Sequence, residues 1–156
     1  MDEMVLPETW ATLFDGDRLE EKLAVSALLA TVDAEGWPHV SFLSAGEVLA
    51  IDPQRLMLTL WGQSATATNM QRTSRAAFFA VADGAVMEAR LAIGKGQADG
   101  EGRMTFPARL TALRPHRAPY AEVKGLIAFQ LHDPVGVLER WRRQIAAMRT
   151  EGVRAG

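Results

Sequence analysis

Turn signals recur along this chain at hairpin spacing. Asp33-Ala-Glu-Gly36, Asp52-Pro-Gln54, Asp83-Gly84 and Asp99-Gly-Glu-Gly102 each separate two apolar runs. Short turns of this composition join antiparallel neighbours. They argue against a doubly wound parallel sheet, whose consecutive strands need helices between them. The runs themselves read as strands over residues 23–33, 37–44, 47–51, 55–61, 75–82, 86–97 and 103–113, with a last short strand over 125–132. In the second run Val40 and Phe42 alternate with His39, Ser41 and Leu43. In the seventh, Met104, Phe106, Ala108, Leu110 and Ala112 share one face. Gly94 and Gly96 point to a bulge or a close backbone approach, and Pro107 to an edge or a bulge.

Helices fall at both ends and once in the middle. Residues 7–14 form a short helix, with a further turn at 18–22. Ser64 caps a helix over 64–71. Asp133 caps the last helix, with Pro134 at its first position. Leu138, Trp141, Ile145 and Met148 repeat there at spacings of three and four, and Gly152 is the expected stop. Trp141 belongs to the core or to a dimer contact. The expected fold is mainly β (α+β): one antiparallel barrel over residues 1–156 with a short central helix and helices at both ends.

A chain of 156 residues with 48% apolar and 23% charged residues suits one domain with one core. Its net charge of −2 provides no bulk attraction to nucleic acid or to an anionic membrane, so neither is an expected partner. With no cysteine, disulfides, thiolate metal sites and cysteine nucleophiles are excluded. His39, His116 and His132 are scattered and suggest no metal site. The N-terminus lacks a basic and then apolar leader, and the longest apolar run, 76–82, is far too short to span a bilayer. The cytoplasm is the expected location. The glycine pairs 94/96 and 100/102 lie in or between strands, outside any phosphate-loop context. Arg140, Arg142, Arg143 and Arg149 read as a solvated helix face, Glu139 lying four residues before Arg143.

The stretch Leu56-Met-Leu-Thr-Leu-Trp-Gly-Gln-Ser-Ala-Thr-Ala-Thr-Asn69 carries the chemical signal. A buried strand runs into a helix start bearing Ser64, Thr66, Thr68 and Asn69. The first amides of a helix lack intrahelical acceptors and attract anions. Thr is a mediocre helix former, so helix propensity does not account for the cluster.

The order of these pieces resembles the pyridoxamine 5′-phosphate oxidase-like, FMN-binding split-barrel proteins. Residues 29–41 look like that family's first hairpin, and 56–61, 64–70 and 75–81 like its strand, phosphate turn and next strand. Residues 88–96 resemble the strand after that. The resemblance implies a split barrel and a homodimer with FMN in a groove between subunits. It implies cofactor contacts from His39, Ser41, Leu60, Trp61, Ser64, Thr66, Thr68, Asn69 and Arg90, and a flavin oxidoreductase acting on a small molecule. Ala65 and Thr66 depart from it, standing where relatives commonly carry Lys or Arg. The cations left to compensate are Arg72, Arg75, Arg90 and Lys95. No C-terminal segment for pyridoxamine phosphate is recognisable, which argues against the vitamin-B6 reaction. The alternative is a non-catalytic or repurposed module whose groove is empty or holds deazaflavin, haem or a phosphorylated metabolite.

Overall fold

The structure, a computed structural model, describes residues 3–155. Helix α1 (Glu8–Leu13) and a 3-10 turn at Leu19–Glu21 precede strands β1 (Ser26–Val32), β2 (Pro38–Ser44), β3 (Val48–Asp52) and β4 (Arg55–Trp61). Helix α2 (Ala65–Thr73) leads into β5 (Arg75–Ala82), β6 (Ala85–Ile93), the two-residue β7 (Gln97–Ala98) and β8 (Arg103–His116). Helix α3 (Pro134–Ala155) ends the chain. Seven strands follow the order β2-β1-β5-β6-β8-β4-β3, and β7 pairs with β8. All pairings are antiparallel. The sheet is an open half-barrel with β2 and β3 as its edges, which is the split-barrel architecture the sequence suggested.

Alternation decides what each face buries. On β5, Ala76, Phe78, Ala80 and Ala82 point inward, and Phe78 meets Trp10 and Phe14 edge-on at 5.1 and 5.6 Å. These aromatics join α1 to the inner face of the sheet. On the outer face, α3 lays Trp141, Ile145 and Met148 over Leu49 and Met57 as a second core. Among the described residues no helix covers the outer face of β1 and β2, where Val32, Val40 and Phe42 are 48, 56 and 55% exposed. Among the described residues, no helix is long and apolar enough to cross a membrane.

Several expectations need correction. Residues 125–132 form no strand. Their apolar residues serve as cover: Phe129 lies 5.9 Å from Phe42, and Ile127 O accepts a bond from Ser26 Oγ at 2.9 Å. Gly152 does not stop α3. It lies inside the helix, where a Cβ would come 2.5 Å from Ile51 Cδ1, so its smallness serves packing. Strand β6 ends at Ile93, because residues 94–96 cross close over β8. A Cβ on Gly94 would stand 2.7 Å from Pro107 and one on Gly96 2.6 Å from Phe106, the close approach expected of these glycines. Pro107 is on no edge: β8 lies between β4 and β6. Its carbonyl accepts from Gly94 N at 2.8 Å, so its nitrogen faces the gap between β6 and β7, where no ladder bond is lost. Strand β8 also shifts register between the pairs Arg90↔Ala112 and Leu91↔Leu110. The bulge at Thr111 turns Leu113 toward the core, breaking the single alternating face expected over 104–112.

Candidate cofactor site

Strand β4 ends at Trp61, and two residues later Ser64 caps α2. Gly62 N bonds Gly102 O at 2.9 Å, and Ser64 N bonds Trp61 O at 3.0 Å, which fixes the turn. Ser64 Oγ accepts from Ala67 N at 3.1 Å, and Ser64 O accepts from Thr68 N at 3.1 Å. Of the first four amides of the helix, those of Ala65 and Thr66 therefore have no acceptor among the described residues.

The side chains around this turn point in different directions. Successive helical residues are rotated by about 100°, so alternate residues diverge. Thr66 and Asn69 turn inward: Thr66 Oγ1 donates to Ser41 Oγ at 3.1 Å, and Asn69 Nδ2 to Thr31 Oγ1 at 3.0 Å. Thr68 faces solvent, while Ser64 is committed to its cap. The two inward contacts fasten α2 to β1 and β2. His39 pairs with Thr31 in the β1–β2 ladder and is half-buried on that same side. The structure thus gathers His39, Ser41, Ser64, Thr66 and Asn69 at the open side of the barrel.

The other expected residues stand apart from that cluster. The Leu60 side chain lies in the main core, leaving only its backbone to a ligand. Trp61 is 55% exposed, with the buried Arg103 guanidinium 5.0 Å from its ring. Arg103 is held in turn by Glu47 Oε2 at 2.9 Å and Thr59 O at 3.1 Å. Arg90 lies on the opposite, outer face of the sheet, lining a groove of about 880 Å³ with Arg75, Ser74 and Thr111. Of these lining residues, Thr111 carries no sequence signal, because it enters through a bulge that no local pattern announces. Arg90 Nε bonds Glu88 at 3.3 Å, and His116 Nε2 meets the other oxygen at 2.7 Å. The bond with His116 holds the Glu88 carboxyl below the usual glutamate range; burial opposes this and Arg90 adds to it. No cluster of three His, Asp or Glu suited to a metal ion occurs among the described residues.

No family model matches the chain. It is 34% identical over 137 residues to the uncharacterised protein YclD of Bacillus subtilis (strain 168), a match covering 85% of this chain and 88% of that protein. Among solved structures, an F420 reductase aligns with a TM-score of 0.53 at 17% identity, covering 70% of this chain and 98% of the other. A pyridoxamine 5′-phosphate oxidase candidate from Lactobacillus delbrueckii aligns at 0.53 and 17%, covering 73% and 97%. An FMN-binding protein from Syntrophomonas wolfei subsp. wolfei aligns at 0.51 and 14%, covering 71% and 94%. At these identities the structural matches establish the fold.

Proposed function

This chain belongs to the same family as YclD and has the fold of the pyridoxamine 5′-phosphate oxidase-like split barrels; on that premise we propose that it is a homodimeric flavoprotein binding FMN at the start of α2. The observation that carries the proposal is the pair of unbonded amides at Ala65 and Thr66, tied through the Thr66–Ser41 contact to the polar side of β2. The donor set suits a phosphate ester held by neutral groups. Two amides and the hydroxyls of Ser41 and Thr66 are at hand, with His39 beside them. Trp61 presents an exposed indole at the same turn. A flavin bound there supplies two-electron transfer through its N5 atom. The residues of the chain orient the cofactor and exclude water from it. The exchange of electrons is with a small molecule.

The absorption spectrum of freshly purified protein, followed by fluorescence titration with FMN, tests this reading. Ala65 is exposed in the first turn of α2. A lysine there adds the cation the turn lacks, so Ala65→Lys is expected to tighten FMN binding roughly tenfold to a hundredfold. An affinity unmoved by this change means that the phosphate is held elsewhere. The lack of a cation at 65 and 66 favours one second reading, a binding module for another phosphorylated compound. That reading requires the wild-type protein to emerge colourless and to leave FMN unbound.

A further inference from the structure

We infer that the outer-face groove is a second binding site, for a small organic oxyanion carried on a flat apolar body. The inference goes beyond the flavin reading and does not require it. The groove holds about 880 Å³ and lies across β1, β5, β6 and β8, on the face opposite the α2 cluster. Its floor includes Ala30, Ala77 and Ala92, a row of methyl groups that leaves room above the sheet. Arg75 stands opposite Ala92 and Arg90 opposite Ala77, so the two arginines are diagonal neighbours across the β5–β6 ladder. Diagonal neighbours are separated by roughly 7–8 Å at the backbone, a span that two long side chains close over one ligand. On β8, Arg109 stands opposite the other side of Ala92.

Charge complementarity identifies the occupant. The chain as a whole carries a net charge of −2, yet this groove is lined by both Arg75 and Arg90. Glu88 is the carboxylate partner of Arg90, and His116 shares it. Arg75 has no carboxylate partner within ion-pair distance among the described residues. Guanidinium groups match the planar, paired oxygens of carboxylate and phosphate. Two hydroxyls join them through unusual backbone. Ser74 occupies the left-handed region at φ 55°. Thr111 lies in the β8 bulge, with its Oγ1 bonded to Arg90 O at 3.1 Å. Bulges and strained residues recur at functional sites, where they re-aim side chains. Here both adjoin the one groove.

Calorimetric titration of the purified protein with phenyl phosphate and with benzoate tests the inference, while FMN binding is followed separately by fluorescence. The expected result is saturable binding of one phenyl phosphate or benzoate per chain, weakening as salt is added. Arg75→Gln and Arg90→Gln are each expected to lower that affinity about tenfold or more. Arg143→Gln, on the exposed side of α3, is expected to leave it unchanged, and all three variants to bind FMN normally. Lack of saturable binding of either probe, or equal weakening by Arg143→Gln, overturns the inference. Displacement of phenyl phosphate by FMN, with Arg75→Gln and Arg90→Gln weakening both, also overturns it, because the groove is then the cofactor's own seat. If FMN fails to bind while a probe still does, the flavin reading falls and the groove stands.

Discussion

At Gly46 the place of a side chain is taken by the Trp141 ring. A Cβ there would come 1.9 Å from Trp141 Cγ, and Gln144 Nε2 bonds the Gly46 carbonyl at 2.8 Å. Gly46→Ala must therefore displace a fully buried indole. It is expected to cost about 3 kcal/mol and to lower Tm by roughly 10 °C in a thermal melt. Lys22 is a second residue held in an exacting position. Its buried ammonium reaches Asp15 at 2.6 Å and the Thr12 carbonyl at 2.8 Å. Burial tends to raise the Asp15 pKa, but the bonds from Lys22 and the Asp17 amide outweigh it and leave the carboxyl below its ordinary value. A depressed carboxylate contributes stability that is present above its unfolded pKa and is lost as pH falls through the folded one. Melts of Asp15→Asn and wild type are expected to differ most near neutral pH, by about 2 kcal/mol, and to converge as the pH falls below the ordinary aspartate range.

The elements with local signals were legible from sequence. Asp83 and Gly84 both adopt positive φ, 53° and 72°, the conformation that the Asp-Gly pair announced for a tight hairpin. Ser64 and Asp133 cap the helices predicted after them, Asp133 through Gly136 N at 3.2 Å. Signals that depend on distant partners misled. The apolar residues of 125–132 imitate a strand because they cover one. Gly152 imitates a stop because Ile51, a hundred positions upstream, presses on its helix. The helix-start cluster was legible as residue types but not as directions. Only the tertiary contacts with Ser41 and Thr31 show that Thr66 and Asn69 face the sheet while Thr68 does not. Arg90 was expected from resemblance alone. Its companions Ser74, Arg75 and Thr111 come together only through the pairing of β5, β6 and β8.

For the whole molecule, the outer face of β1 and β2, overlain only in part by Phe129 against Phe42, is where the proposed dimer would form. Trp37, Val32, Val40 and Phe42 are 71, 48, 56 and 55% exposed and lie on or beside one hairpin. Exposed apolar residues grouped in this way are a common mark of interaction surfaces. The homodimer proposed above places a second copy of the chain on it. Sedimentation of the wild type is expected to give twice the chain mass, and Val40→Asp, which puts a charge into the patch, to give single chains with an unchanged circular dichroism spectrum. A wild type that sediments as single chains contradicts the dimer. The groove borders the patch, with Val32 and Pro38 at its rim, so the dimer would bring the partner close to the arginines.

The strand order also dictates how the chain must come together as it emerges from the ribosome. The hairpins β1–β2 and β3–β4 are both made from the first 61 residues, yet neither pairs with the other. The strip that joins them consists of β5, β6 and β8, and is complete only at residue 116. Until then the nascent polypeptide carries two separate ribbons with bare backbone edges, and distant pairings of this sort close slowly.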